Sequence, residues 1–207
     1  MTARTQEVES RLREALLDLC VERGYEVLKL QQVLERAGVD EEDFRRRYDD
    51  LDALFTAVLA GAYGDFFATA EAALAGQHGW RDRMRATAYV LLRFLRRDER
   101  VARLAAVEAQ HAGEGAHRLF LDTFNRLVDL IDEGSAEASG PTSPGRATAI
   151  GVGGVVFARI QEAVASDELD LGEEEIPELM YGAVFPYLGA EAAAEELRVQ
   201  PPPDLAR

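Results

Sequence analysis

Two short helical patterns meet at Ala37-Gly38-Val39, and this junction constrains the fold more than any other stretch of the chain. The pattern before it has four apolar residues at helical spacing: Leu30, Val33, Leu34 and Ala37. After it, Phe44 and Tyr48 lie four residues apart, which again places two rings on one helical face. A glycine between two such helices lets the chain turn sharply, so the sequence predicts a helix-turn-helix.

The rest of the chain also predicts helices. Strand-like alternation and β-branched runs are scarce, while Ala, Leu, Glu and Arg dominate the 207 residues. We therefore expect an all-α fold, in which an N-terminal three-helix helix-turn-helix head precedes a larger helical body. The expected divisions are residues 1–50 for the head, 51–198 for the body, and 199–207 for a disordered tail that contains three consecutive prolines.

Apolar periodicity and glycine-rich breaks predict the helix boundaries outside the helix-turn-helix pair. The expected helices cover residues 9–22, 51–75, 80–97, 99–111, 117–133, 147–165 and 176–188. In the first of these helices the predicted buried stripe consists of Leu12, Ala15, Leu16, Leu17, Leu19 and Cys20.

Charge and cysteine content restrict the class of protein. A single cysteine, Cys20, excludes an internal disulfide and favours a reducing compartment. The N-terminus is polar and charged, unlike a secretory signal, and the longest nearly apolar run, residues 149–158, is about half the length of a membrane span. We expect a cytoplasmic protein that does not bind membranes. The net charge of −15 disfavours nucleic-acid binding, which conflicts with the helix-turn-helix prediction.

That conflict is concentrated in the second helix of the pair. Its first turn carries four carboxylates, at Asp40, Glu41, Glu42 and Asp43. They stabilise the helix, because Asp40 can cap free N–H groups and the others oppose the macrodipole. They also repel phosphate, and among base edges a carboxylate accepts hydrogen bonds only from an amino group such as cytosine N4. The arginines at 45–47 follow, either to bind phosphate or to form a solvated surface paired with these carboxylates.

Residues 13–55 resemble the head of the TetR (tetracycline repressor) family of transcriptional regulators. The supporting residues, in order, are Gly24-Tyr25 after the first helix, Leu30, Val33, Ala37-Gly38-Val39, the capping residue Asp40, Phe44, Tyr48 and Ala53-Leu54. The chain departs from the family pattern at several positions. It has Lys29 where the family usually has a Ser or Thr cap, and Glu42 and Asp43 where the family favours Gly, Thr or Ser.

The resemblance implies a ligand-responsive DNA-binding transcriptional regulator, a repressor released by a small apolar ligand, whose helical body serves for ligand sensing and dimerisation. Its implied partners are double-stranded operator DNA, a small apolar or aromatic ligand, and a second copy bound through the last two helices. The candidate DNA-binding residues are Lys29, Asp40, Glu41, Glu42, Arg45, Arg46, Arg47 and Tyr48. The alternative is a family member with a degenerate head that acts as a ligand- or protein-binding module.

The body offers candidate residues for a ligand pocket between helices, where walls are mostly apolar with a few polar groups. The expected walls are Phe66, Met84, Phe120, Phe124 and Phe157, and the expected polar contacts are Thr87, His111 and Gln161. Each of these aromatic residues can equally be an ordinary core residue. We expect no cofactor, no metal and no enzymatic activity, because no nucleophile comes with a base at suitable spacing and Glu108 with His111 lacks a second ligand pair.

Overall fold

The computed structural model describes residues 3–138, 144–166 and 171–200. Within these ranges the chain forms nine α-helices and no β-strand, which confirms the predicted all-α fold. The helices are α1 (Ala3–Arg23), α2 (Leu30–Ala37), α3 (Glu41–Arg45), α4 (Leu51–Leu74), α5 (Trp80–Arg97), α6 (Glu99–Ala106), α7 (Glu114–Asp132), α8 (Arg146–Ala165) and α9 (Ile176–Glu196).

The chain divides into two compact units. The first comprises Met1–Gly64 and Asp98–Leu121, and the second comprises Asp65–Arg97 and Asp122–Arg207. The head, body and tail boundaries expected from the sequence remain predictions, and residues 201–207 of the expected tail lie outside the described residues.

Several helices differ in length from the sequence prediction, among them α1, which begins at Ala3 instead of residue 9. The third, α3, has only five residues, and Arg46 and Arg47 follow it in a turn. Helix α6 ends at Ala106, and a separate 3-10 turn covers Glu108–Gln110. Helix α9 continues to Glu196, but Gly189 interrupts its helical backbone with φ 80° and ψ −179°. Pro186 precedes this kink inside the helix, where it removes one backbone donor.

The core of the first unit forms around α1, which packs against α2 and α6. The predicted stripe of α1 is buried, as the exposures of Leu12, Ala15, Leu16, Leu17, Leu19 and Cys20 all lie at or below 3%. Phe44 of α3 and Phe55 of α4 are fully buried in the same unit. Helix α3, which carries several of the candidate DNA-binding residues, is therefore held by apolar burial of its aromatic ring, Phe44.

In the second unit, α9 packs against α5 and α8. Trp80 at the start of α5 is buried, its Nε1–H donates to the Leu130 carbonyl at 2.8 Å, and its ring lies 5.0 Å from that of Tyr187. Helix α9 ends at the buried Glu196, whose carboxylate is bound by Arg81 and Arg85 of α5. The first two turns of α5 thus combine apolar burial with hydrogen bonds from Trp80, Arg81 and Arg85.

Two helices have the length and composition that a membrane span requires, namely α4 and α8, with 33% and 28% of their most apolar stretches buried. Core helices of proteins that never enter a membrane satisfy the same two criteria, so this similarity is weak support for a span.

Candidate functional site

The turn between α2 and α3 depends on Gly38 and Arg11. Gly38 has left-handed backbone angles, φ 60° and ψ 42°, and caps the C-terminus of α2. The Arg11 guanidinium donates through Nε to the Ala37 carbonyl at 2.8 Å, and also bonds the carbonyl of Gly38. A Cβ atom at position 38 would lie 2.8 Å from Arg11 Nη2. The turn therefore requires glycine for its left-handed backbone, and an added Cβ would displace the Arg11 guanidinium. The sequence did not indicate the contact with Arg11.

Helix α2 begins without a side-chain cap from its first flanking residue. Lys29 occupies the N-cap position, and its backbone N–H donates to Gln32 Oε1 at 2.9 Å. Gln32 thus supplies the returning half of a capping box, and it compensates for the missing Ser or Thr. A glutamine three residues after the cap is a recognisable signal, and it explains how the departure at Lys29 is tolerated.

Helix α3 starts as the sequence predicts. Asp40 is the N-cap residue, and its Oδ1 accepts a hydrogen bond from the Asp43 backbone N–H at 2.6 Å. Phe44 is fully buried, and its ring centroid lies 5.6 Å from that of Tyr48. The expected face of Phe44 and Tyr48 therefore exists, although Tyr48 lies beyond the end of the helix.

The arginines that follow are paired with carboxylates of the same segment. Arg45 Nη2 lies 3.3 Å from Glu41 Oε1, and Arg46 Nη1 lies 2.6 Å from Glu42 Oε1. Arg46 also bonds the Asp43 carboxylate. All three carboxylates thus serve as internal counter-ions for cations that could bind phosphate.

Arg47 differs from its two neighbours because its side chain is only 14% exposed. Its Nη1 lies 3.8 Å from Asp43 Oδ1, and the guanidinium also donates to the Asp43 carbonyl. The side chains of Arg45 and Arg46 are 50% and 54% exposed. Solvent-exposed pairs of this kind add little net stability, so incoming phosphate can compete for Arg45 and Arg46 far more readily than for Arg47.

The second unit contains an apolar cavity of about 120 Å³ between α5, α7, α8 and α9. Four of the predicted ligand residues line it, namely Met84, Thr87, Phe124 and Phe157. The other lining residues are Ala88, Leu91, Leu92, Leu95, Leu127, Leu130, Ile131, Val152, Gly153, Val156, Arg159, Ile160, Leu171, Gly172, Ile176, Leu179, Met180 and Ala183. Aliphatic residues thus form most of the wall, and the sequence search missed them because it weighted aromatic rings.

The other four predicted ligand residues do not line this cavity. Phe66 is buried beside Phe67 and Phe94, with ring centroids 5.0 Å and 5.5 Å away. Gln161 lies on α8 but is absent from the lining. His111 and Phe120 belong to the first unit, where His111 is half exposed and its Nδ1 lies 3.5 Å from Glu26 Oε1.

Polar groups at the cavity are already engaged. Thr87 Oγ1 donates to the Arg83 carbonyl at 2.9 Å, which is a bond within α5. Arg159 forms a two-pronged pair with Glu175, with Nε–Oε2 at 2.7 Å and Nη2–Oε1 at 2.9 Å. The backbone N–H of Gly172 donates to the same Glu175 carboxylate at 3.3 Å. The lining is therefore apolar except at Thr87 and at the place where Arg159 and Gly172 bind the Glu175 carboxylate.

Helices α8 and α9 also carry large apolar side chains on the outside of the second unit. Val155 is 67% exposed, Phe185 is 48% exposed, and Ile150 is 47% exposed. At Gly151 and Gly154 an added Cβ would meet open space, so nothing within the unit packs on these glycines. Small residues beside exposed apolar ones permit close approach of another helix.

No group of three or more His, Cys, Asp or Glu side chains is arranged to hold a metal ion in the part of the chain that the structure describes. Glu108, which the sequence paired with His111, is buried and accepts a hydrogen bond from the Tyr25 backbone N–H at 2.8 Å. Its carboxylate is therefore used for a structural contact.

No family model and no curated protein sequence matches the chain. Solved structures do match it. The fatty acid degradation regulator FadR from Bacillus halodurans has a TM-score of 0.72 at 12% identity, covering 85% of this chain and 94% of that one. A regulatory protein of the tetR family from Rhodococcus RHA1 has a TM-score of 0.70 at 13% identity, covering 92% and 100%.

A third similar structure is FadR from Bacillus subtilis in complex with stearoyl-CoA, with a TM-score of 0.65 at 13% identity and coverage of 84% and 97%. Each match covers nearly the whole length of the solved structure, so the similarity extends well beyond the helix-turn-helix. At these identities the similarity concerns the fold. The chain has the all-helical fold of the TetR-type transcriptional regulators.

Proposed function

We propose that this protein is a ligand-responsive DNA-binding transcriptional regulator, a cytoplasmic, non-enzymatic repressor that releases operator DNA when a small apolar ligand binds. The observation that carries the proposal is the pair α2 and α3, joined at the left-handed Gly38 and held by Arg11. A second helix in this arrangement is the element that enters the major groove in helix-turn-helix proteins.

The apolar cavity supports the sensing half of the proposal. Its volume of about 120 Å³ and its nearly continuous aliphatic wall suit a small apolar ligand. The similar FadR structure from Bacillus subtilis holds stearoyl-CoA, a ligand with an apolar chain. A ligand that binds one arrangement of the helices around the cavity better than another shifts the population toward that arrangement.

A homodimer through α8 and α9 completes the proposal. Two recognition helices must lie about 34–36 Å apart to reach successive major-groove segments, so a monomer with one α3 lacks half of the operator contacts. Exposed Val155 and Phe185, with Gly151 and Gly154 beside them, suit an interface formed by the same helices of a second copy.

The dimer is tested by light scattering at micromolar concentration. The double variant Val155→Arg with Phe185→Arg places two charges on the proposed interface and is expected to give a monomer. Leu121→Arg, on α7 of the other unit and 42% exposed, is the matched control and leaves the mass unchanged. A wild-type monomer contradicts the proposed interface.

A second candidate function is favoured by the ion pairs of α3. Because Arg45 and Arg46 already have carboxylate partners, the same fold could serve as a ligand- or protein-binding module whose head has lost DNA binding. Glu41 and Glu42 stand at the end of the helix that approaches base edges, where a carboxylate repels the phosphates on either side.

Fluorescence anisotropy with the DNA upstream of the protein's own gene distinguishes the two candidates. The wild type is expected to form a specific complex at low salt that weakens steeply as salt rises. Glu42→Gln removes one of the two carboxylates that pair with Arg46 and leaves Asp43 as the other. Glu114→Gln is its control, because Glu114 pairs with Arg118 at the same spacing and distance, 2.6 Å. Both variants change the net charge equally.

The outcomes separate cleanly. If the carboxylate only repels phosphate, Glu42→Gln raises the affinity for all DNA sequences while Glu114→Gln does not. If Glu42 reads a base, the same substitution lowers affinity for the specific site. Absence of any salt-sensitive specific complex in the wild type, with binding gained only in Glu42→Gln, supports the degenerate head instead.

A further inference from the structure

The cavity of the second unit has one charged residue among its described lining residues, Arg159 of α8. Its guanidinium holds both oxygens of Glu175, with distances of 2.7 Å and 2.9 Å. The backbone N–H of Gly172, a second lining residue, donates to Glu175 Oε1 at 3.3 Å. Two residues of the cavity wall therefore converge on one carboxylate group at the border of an otherwise apolar space.

This arrangement has the geometry of a carboxylate receptor. A planar guanidinium that donates two parallel hydrogen bonds recognises a carboxylate far better than a hydroxyl or an ammonium group. A backbone N–H adds a third donor without adding a side chain. Glu175 itself does not line the cavity, so a carboxylate that reaches Arg159 from the cavity competes with Glu175 for the same guanidinium.

We propose that the cavity binds a small monocarboxylate with an apolar tail, and that its carboxylate displaces Glu175 from Arg159 and Gly172. This inference rests on the proposed ligand-sensing function and names the class of ligand. A cavity of about 150 Å³ holds one benzene molecule, which has six carbon atoms, so a space of about 120 Å³ suits an apolar tail of about five carbon atoms.

Neighbouring acidic residues make displacement necessary. Glu174 packs against Gly172, where an added Cβ would lie 2.2 Å from its Oε1, and Glu162 lies 3.9 Å from Arg159 Nη1. With these carboxylates nearby, an additional anion binds only when the Glu175 carboxylate leaves Arg159. Because Glu175 immediately precedes Ile176, the first residue of α9, its release changes how that helix is held at its start.

The exchange gives ligand binding a route to the proposed dimer interface. Helix α9 carries the exposed Phe185, and α8 carries Arg159. The Arg159–Glu175 pair joins α8 to the residue that precedes α9, and a ligand that takes Arg159 breaks this link. A ligand of another charge makes no such exchange.

Calorimetric titration of the full-length protein with hexanoate, hexanol and hexylammonium tests the proposal, because the three probes are unbranched, contain about six carbon atoms each and differ mainly in the polar group. Hexanoate is expected to bind about tenfold more tightly than hexanol, since it alone forms charge-assisted bonds with Arg159. Arg159→Gln is expected to abolish this preference. Arg146→Gln, which removes another α8 arginine paired with a carboxylate, is the matched control and keeps it.

Glu175→Gln tests the displacement of the Glu175 carboxylate more directly. Removing the competing carboxylate is expected to raise the affinity for hexanoate several-fold, about three to tenfold, and to leave hexanol unchanged. If the pair were only structural, this variant would lower stability without improving binding. Circular dichroism checks that each variant is folded, and Arg159→Lys, which keeps the charge but loses the fork, is expected to show an intermediate preference.

The failures are distinguishable. Equal binding of hexanoate and hexanol, or tightest binding of hexylammonium, overturns the carboxylate inference while the apolar ligand cavity stands. No gain for hexanoate in Glu175→Gln also overturns it. Absence of binding by all three probes, with no effect of longer alkyl chains, counts against the cavity as a ligand site and therefore against the proposed sensing function.

Discussion

The carboxylate of Glu108 accepts a hydrogen bond from the backbone N–H of Tyr25, although the two residues are 83 positions apart in the sequence. Arg103 Nε lies 3.3 Å from the other carboxylate oxygen. Gly24, with φ 77°, lies beside this contact, and a Cβ added there would be in ordinary van der Waals contact with Glu108 Oε2, at 3.8 Å. The segment that enters the helix-turn-helix is thereby tied to the turn after α6.

Glu108→Ala is expected to lower the free energy of unfolding by about 1–3 kcal/mol, because it leaves the Tyr25 N–H buried without an acceptor. Urea unfolding followed by circular dichroism measures the change. Glu26→Ala is the control, since the Glu26 side chain is 72% exposed. Equal effects of the two substitutions would contradict a structural role for the buried carboxylate.

Alanine substitutions at two glycines, Gly38 in the turn of the helix-turn-helix and Gly61 in α4, are expected to change the stability in opposite directions. Gly38→Ala is expected to destabilise the protein by roughly 1–2 kcal/mol, because the left-handed backbone is unfavourable for alanine, and the Arg11 contact adds to this effect. Gly61→Ala, inside α4 with no atom within 4 Å of the added Cβ, is expected to stabilise it by about 0.5–1 kcal/mol. The measurement is the urea midpoint of both variants.

Anisotropy with operator DNA extends this test. Because Gly38 sets the angle between α2 and α3, Gly38→Ala is also expected to weaken DNA binding, whereas Gly61→Ala leaves it intact. A Gly38→Ala protein with wild-type stability would mean that the turn has an alternative conformation open to alanine.

Patterns among neighbouring residues were sufficient to predict several elements of the fold. Apolar spacing identified the buried stripe of α1, Gly38 marked the turn, and Asp40 was recognisable as a cap because its type and position are both specific. The bounds of α5, Trp80–Arg97, were also predictable from one periodic pattern between a glycine and a charged break.

Features that depend on distant residues were not predictable. No local signal connects Arg11 with Ala37 or Glu108 with Tyr25, because such contacts exist only after the helices pack. The cavity wall was missed for a similar reason. Leucine and valine at helical spacing look alike whether they fill a core or border a cavity, so Leu91 and Val156 gave no distinguishing signal.

The C-terminal end of α9 supplies a comparison between two adjacent glutamates. Glu196 is buried and binds Arg81 through Nε at 2.5 Å and Arg85 through Nη2 at 2.7 Å, whereas the Glu195 side chain is 58% exposed. Glu196→Gln is expected to lower the melting temperature strongly, with a loss of about 3 kcal/mol in unfolding free energy, because it breaks a buried pair. Glu195→Gln is expected to have little effect. Similar melting temperatures for both variants would contradict the buried clamp.

The buried thiol of Cys20 makes the stability of the protein depend on pH in the alkaline range. Burial, with a smaller contribution from the nearby Glu108 carboxylate, raises the pKa of Cys20 from 9.0 to about 12. Above pH 9 the unfolded chain loses the thiol proton while the folded protein keeps it. The unfolded state then binds fewer protons, so the free energy of unfolding falls as pH rises, and this loss continues up to the folded pKa.

The expected loss attributable to Cys20 between pH 8 and pH 10 is about 1 kcal/mol. Urea unfolding of the wild type and of Cys20→Ala at both pH values isolates it, because the alanine variant lacks this titration and should lose less stability by that amount. Burial also raises the pKa of Tyr63, but this residue is present in both proteins and cancels in the comparison. Equal pH dependence of the two proteins would show that Cys20 ionises in the folded state as readily as in the unfolded chain, and that α1 does not bury its thiol.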